Sequence, residues 1–308
     1  MTTLLEAFTA IGVQGAPAVE GAAPDYRTIV DALKSEYLGV FDGARWGGPR
    51  AQSQGERREK AAARLALYRD DFAAEVRAMI DRIYTHPDVK KDRQRVEGMI
   101  GFLNVPKRIT DEVASLYDIP AKRRFADPPQ PAAVEGQPPP ERKPNPRAEA
   151  FQEVEREIDL HSVMKEAHRL TFWLNNVLLW HTKIGSKRSL RILTPDRFAV
   201  VPNPLDALDL VAVIIDVAPA WVPTLLANPM TLPAYEIWDS EVKIVLDGTG
   251  RIIEAKPHGQ GRIPGVLMSS RLPVDRLLED RAGEDILAAA RAVLMLNLCS
   301  LSLSLDAS

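Results

Sequence analysis

Cysteine is nearly absent. Cys299 stands alone in 308 residues, which excludes an internal disulfide framework and fits a reducing compartment. Lying in an apolar run, that thiol reads as a small buried hydrophobe. A strong excess of either charge is missing too. With a net charge of −3, general adhesion to nucleic acid is not expected, although local basic patches are still open. The N-terminus, Met1-Thr2-Thr3-Leu4-Leu5-Glu6, has no basic stretch ahead of a long apolar one, and so no secretory signal. Only Ile286 to Leu305 approaches a membrane span in length and apolarity. It contains Arg291 and Asn297, and an arginine deep in a bilayer costs about 2.5–3.5 kcal/mol. A helix buried among protein neighbours is therefore favoured over a tail-anchored membrane protein. Catalytic signatures are lacking as well: there is no Gly-x-Ser-x-Gly elbow, Walker loop, Cys-x-x-Cys or His-Glu-x-x-His. His161 and His168 are seven apart but have no third ligand nearby in sequence, and zinc needs three or four. No catalytic residue, metal or cofactor is expected.

What is present belongs to a folded protein. Apolar residues make up 45% of the chain, enough for a substantial core, and its length calls for two packed subdomains or one elongated protomer. Residues 1–55 form a weakly patterned N-terminal arm. A short helix is expected over Tyr26–Glu36, and the glycine-rich run Gly43–Gly48 breaks the chain after it. From Glu56 to Tyr84, Leu65, Tyr68, Phe72, Val76, Met79, Ile80 and Ile83 recur at three and four, which predicts an amphipathic helix ended by His86-Pro87. A second helix is predicted over Pro106–Tyr117. Asn104 would cap it, and Ile109, Val113 and Leu116 would form its buried face. Residues 56–126 thus form a helical part. Residues 127–146 include eight prolines in twenty and predict an exposed, semi-extended loop.

Residues 147–185 read as the longest helix. Leu160, Val163, Met164, Ala167, Leu170, Leu174, Val177 and Leu178 hold helical spacing, and Gly185 supplies a stop. The period then changes. Short β-branched or aromatic runs at 191–193, 198–201, 210–215, 235–238, 242–246 and 251–254 are separated by proline and glycine, making residues 186–272 a β-rich part. Asp247-Gly248-Thr249-Gly250 reads as a hairpin turn. Helical spacing returns over 273–308. The expected class is α+β, with a helical N-terminal half, a β-rich segment at about 190–270 and a C-terminal helix.

Two constellations carry chemistry. Asp239 with Glu254-Ala255-Lys256 matches a loose Asp…Glu-x-Lys pattern of metal-dependent nucleases, in which two carboxylates hold Mg²⁺ and the lysine helps activate water. Strand alternation puts Glu254 and Lys256 on one face, but Pro257-His258-Gly259 ends the strand at once, and a solvated hairpin face explains the same residues. Basic residues cluster at Arg57-Arg58, at Lys90-Lys91 with Arg93 and Arg95, at Lys122, Arg123 and Arg124, and at Lys183, Lys187, Arg188 and Arg191. Acids interleave with the first two clusters. The last two are the better candidates for contact with nucleic acid or a partner.

Several segments, taken in order, resemble the portal proteins of tailed bacteriophages. They are Val96-Glu-Gly-Met-Ile-Gly-Phe-Leu-Asn104-Val-Pro-Lys-Arg-Ile109, then Asp111 to Pro120 with its Tyr-x-x-Pro turn, and Arg123-Arg124-Phe125. The long helix follows, then Leu193-Thr-Pro195-Asp-Arg-Phe-Ala-Val-Val201, Ala234-Tyr-Glu-Ile-Trp238 and Gly261-Arg-Ile-Pro264-Gly-Val-Leu-Met268. The resemblance covers about residues 57–300 and rests on order and spacing. It implies a wing-like body and a ring, typically a homo-dodecamer, at one capsid vertex of the virion, assembled in the bacterial host cytoplasm. Double-stranded DNA would pass through the ring during viral genome packaging and ejection. The implied partners are further copies of the chain, the large terminase subunit, adaptor or head-completion proteins, and capsid and scaffold proteins. A portal is a head-tail connector and not the motor ATPase, in keeping with the missing phosphate loop. Near-neutral charge suits a conduit, because a strongly basic wall would hold DNA and impede sliding. Portal chains usually continue into stem, clip, tunnel-loop and crown, whereas this sequence stops at Ser308, after a helix resembling the start of the stem. Channel-lining and terminase-docking parts would then be missing.

Overall fold

In a computed structural model of the chain, the residues described are 26–36, 49–69, 105–121, 145–203, 205–217 and 233–270, with single positions at 3, 6, 7, 81, 125 and 292. The expected C-terminal helix and membrane-span candidate, Cys299, the loop before Asn145 and the cluster Lys122–Arg124 lie outside these residues. So does the second half of the helix expected to run to Tyr84.

The helices are α1 (Arg27–Glu36), α2 (Pro49–Tyr68), α3 (Val105–Val113), α4 (Pro146–Glu157) and α5 (Leu160–Leu174). The strands are β1 (Asn176–Ile184), β2 (Lys187–Leu193), β3 (Phe198–Asn203), β4 (Asp206–Asp216), β5 (Pro233–Trp238), β6 (Val242–Asp247), β7 (Ile252–Pro257) and β8 (Gly265–Ser269). The mixed α+β class holds. All strand pairs are antiparallel, in a three-stranded sheet ordered β2-β1-β8 and a five-stranded meander ordered β3-β4-β5-β6-β7.

Alternation along the strands sorts the core into three clusters and orders the layers. On one face of the small sheet, Val177 and Leu179 pack with Leu170, Trp173 and Leu174 of α5 and with Leu65 and Tyr68 of α2. On its other face, Leu178 and Trp180 meet Phe198, Val200, Val213 and Ile215 of the large sheet, closed at one end by Ile263. The far face of the large sheet, through Ala199, Val201, Ile214, Ile237, Ile244 and Leu246, is covered by Ile29, Val30 and Leu33 of α1. The result is a helix–sheet–sheet–helix stack. A register shift after Val201 lets Val211 and Ala212 both join the α1 side while Leu210 returns to the inter-sheet side, the switch of face that a bulge produces.

The long helix expected over 147–185 is three elements. Asn145 caps α4 by accepting a hydrogen bond from the Arg147 N–H at 3.0 Å, with Pro146 in the first turn. The helical run breaks at Asp159, which is left-handed at φ 46°, and resumes as α5. It ends for good at Asn175, left-handed at φ 71°. The Asn175 carbonyl accepts from the Ser270 N–H at 2.8 Å and its side chain from the Ser270 hydroxyl, so the reversal is held from the end of β8. Val177-Leu-Leu-Trp180 then forms a strand buried on both faces. A fully apolar run has no period of its own, which is why it also fitted a helix. Gly185 is not a helix stop: at φ 63° it turns the β1–β2 hairpin together with Ser186.

A second expectation is reversed. Ile109, Val113 and Leu116 do not form a buried face; they are 55%, 56% and 71% exposed, and Thr110 of α3 and Ala114 just after it are buried instead. Polar anchors set this orientation. Lys107 pairs with Asp111 at 2.8 Å, Asp111 accepts from the Tyr68 hydroxyl at 3.4 Å, and Asp118 pairs with Lys165 of α5 at 2.8 Å. Burial, with Glu166 and Asp111 nearby, pushes the Tyr68 hydroxyl above its ordinary pKa, so it stays protonated and able to donate.

Two measurements check this packing. A Cβ added at Gly265 would lie 2.6 Å from the Trp180 ring, whose movement is blocked by Trp238 at 5.4 Å between centroids. Gly265→Ala should therefore destabilise by about 1–3 kcal/mol in denaturant unfolding at unchanged m, and an unaltered midpoint would disprove the close fit. At the β6–β7 turn, burial raises the Asp247 carboxyl pKa, but hydrogen bonds from the Thr249 hydroxyl and the Arg251 and Thr249 N–H groups outweigh this and hold it below its ordinary value. A depressed folded pKa gives stability that is complete above the unfolded carboxylate value and is lost as pH falls through the folded one. The stability advantage of the parent over Asp247→Asn should thus be full at neutral pH and shrink below about pH 4.

Candidate nucleic-acid interface

Of the two basic clusters favoured by the sequence, the structure describes the second. It lies on a projecting ribbon. β8 pairs with β1 only from Asn176 to Trp180, whereas β2 stays paired to β1 out to Ile184. Beyond Trp180, β1 and β2 therefore run on as a two-stranded ribbon past the edge of the small sheet. Its last tie to the body on the β8 side is the His181 N–H, which donates to the Pro264 carbonyl at 2.9 Å.

Register places the charges. Lys183 lies opposite Arg188 and shares a face with it, while Lys187 and Arg191 point from the other face, four residues apart on β2. All four are exposed. From Ala167 to Pro195 the sequence contains no acidic residue to neutralise them. At the turn end of the ribbon, the Oε1 of Glu157, the last residue of α4, accepts from the Arg188 N–H at 2.7 Å and ties the start of β2 to α4. Cations on both faces of a two-stranded ribbon can meet phosphates on both sides of a groove, and the major groove, about 12 Å wide, admits such a ribbon. Sequence alone placed these cations together but not on a ribbon, because residues 176–184 matched a helix. The signal for the ribbon was Gly185-Ser186 between two β-capable runs.

The nuclease-like trio does not form one site. Asp239 is buried at the β5–β6 turn, where its Oδ1 accepts from the N–H groups of Glu241 and Val242 at 2.7 and 2.6 Å. It faces the α1 side, where it and Glu241, after burial, raise the Tyr26 pKa. Glu254 and Lys256 lie on edge strand β7 opposite Val245 and Lys243, on the other face of the sheet, and pair with each other at 2.9 Å while about half exposed. Among the described residues no group of three His, Cys, Asp or Glu side chains could hold a metal ion. His168 packs edge-on against Tyr117 at 5.7 Å between centroids. No helix among the described residues is long and apolar enough to cross a membrane. No protein-family model matches the chain, and no curated protein is significantly similar to it.

Replacing Lys187, Arg188 and Arg191 together with serine should leave the fold intact, since all three are exposed. It should flatten the salt dependence of duplex DNA binding. Each lost phosphate contact removes about 0.9 from the slope of log affinity against log salt, so the change approaches about 2.7. An unchanged slope would remove the ribbon from any DNA contact.

Proposed function

We propose that the chain is a ring-forming subunit of a phage portal, a head-tail connector through which double-stranded DNA is packaged and ejected. One observation carries the proposal. The segments that resemble portal strands, 193–201, 234–238 and 261–268, are dispersed in sequence but gather around one inter-sheet core, in which Phe198, Val200, Trp238, Ile263 and Leu267 pack with Trp180. The portal-like segments thus belong to one packed body, which supports the reading. In this reading the two-sheet stack is the wing-like body, the terminase supplies the ATP chemistry from outside, and the subunit contributes geometry. The basic ribbon would meet DNA or an acidic face of a partner.

The expected outcome is a closed ring of the purified protein in negative-stain electron microscopy, with a matching mass in light scattering. Particles that stay monomeric at high protein concentration would count decisively against a portal subunit. Because portal chains extend into stem, clip and crown, the protein should be expressed from its complete reading frame for this experiment.

A further inference from the structure

The outward face of α3 is apolar. Ile109 and Val113 lie one turn apart on it, and Leu116 and Ile119 continue the stripe into the following turns at 71% and 78% exposure. A short amphipathic helix ordinarily turns such a stripe inward. Here the inward side is pinned by Asp111, which meets Tyr68 of α2 and Arg169 of α5, and by the Asp118–Lys165 pair, so the orientation is set by contacts and is not an accident of a loose helix. The flank beside the stripe carries Arg108 and Glu112, both exposed, one turn apart, and neither held by an ion pair among the described residues.

This arrangement is complementary to itself. When two helices pack antiparallel about a two-fold axis, residues on the same flank face each other, and a residue before the axis meets one after it. An axis passing near residues 110–111 sets Ile109 against Val113 of the second copy, and the same axis sets Arg108 against Glu112 of the second copy. Both contacts are then made twice. The midpoints of the apolar pair and of the charged pair fall within one residue of each other, so a single packing satisfies both. A parallel packing would instead place the two charged flanks on opposite edges of the interface, where Arg108 and Glu112 could not meet across it.

We propose that α3 is a homotypic docking surface, pairing antiparallel with α3 of a second copy of this chain through Ile109 and Val113, with Arg108 and Glu112 setting the register. The stripe covers only two or three turns, so the interface is at the small end of the known range and the association should be weak and concentration-dependent. A two-fold contact closes on itself and cannot propagate around a ring. The pairing is therefore independent of the portal proposal: it would join two rings face to face, or pair subunits before a ring closes.

Sedimentation velocity over a range of concentrations tests it, with circular dichroism to confirm that each variant is folded. Arg108→Glu and Glu112→Arg, each alone, turn two attractive contacts into two repulsive ones and should weaken self-association on the order of tenfold. An equimolar mixture of these two variants restores both contacts and should associate like the parent, as should the double variant. Ile109→Asp should abolish the α3-dependent, two-fold component of association in every background. Failure of the mixture to associate better than its components overturns the antiparallel register. A parent that shows no concentration dependence, because the stripe is covered by another part of the same chain or by a different protein, overturns the proposal as a whole. Rings seen in the Ile109→Asp variant would leave the portal proposal standing while the α3 contact is read separately.

Discussion

Strand β1 is the element on which the described fold depends, because it buries one face against the helices α2 and α5 and the other against the five-stranded sheet. Val177 and Leu179 look toward the helices and Leu178 and Trp180 toward the second sheet. Each fully buried side chain of this size contributes about 1.5–3 kcal/mol of transfer free energy, and here four in succession are buried. A polar residue at any of them would face an apolar layer on whichever side it pointed. This constraint fixes the order of the stack, since α2 and α5 must lie on one side of the strand and the five-stranded sheet on the other.

The strand must also be reached abruptly. Trp173, the next-to-last residue of α5, is fully buried, with its indole N–H donating to the Arg64 carbonyl at 2.7 Å and so tying α5 to α2. Two residues later the chain has to leave the helix and start across the sheet. Asparagine tolerates a positive φ better than most residues, and Asn175 adopts one with its side-chain oxygen accepting from the Ser270 hydroxyl. Arg58 performs a similar task at the other end of the stack. Its guanidinium bonds the Asp216 carboxylate at 3.0 Å and the Asp196 carbonyl, and so pins α2 to the ends of β3 and β4. α2 thus packs on the small sheet and, through Arg58, also reaches the end of the large one.

Most of the strands were legible in the sequence because β2 through β7 carry β-branched residues and are separated by turn residues, proline or glycine at most connections and Asp239-Ser240 between β5 and β6. The Asp247 turn is the clearest case, its carboxylate gathering the N–H groups of Thr249 and Arg251 ahead of Gly250 at φ 76°. What failed was the break at Asp159 and the stretch from Asn175 to Ile184, whereas residues 160–174 are helical as expected. The apolar residues of that stretch are compatible with period 3.6 and with an uninterrupted buried strand, and only tertiary packing decides between them. The same limit hid the orientation of α3. Spacing identified Ile109, Val113 and Leu116 as one face, correctly, but cannot say whether a face meets a core or solvent when the opposite side carries its own ion pairs. The cations of the ribbon were found and their geometry was not, since geometry came from the hairpin that the helical assignment had concealed.

The charge distribution limits where the ribbon can work if the chain forms a ring. A net charge of −3 together with four cations on one ribbon means that acids are gathered elsewhere on the surface. A ring multiplies whatever one subunit does. Four phosphate contacts per subunit, repeated around a closed ring, would grip a duplex many times more tightly than one ribbon, because linked sites act at high effective concentration. DNA held that firmly could not slide, and the short reach of screened charge, about 8 Å at physiological ionic strength, leaves little room for a weak long-range version of the same contact. A ribbon of this composition therefore belongs at the mouth or on the outer wall of such a ring, where it can engage DNA briefly or meet an acidic partner, and not along the narrowest part of the channel.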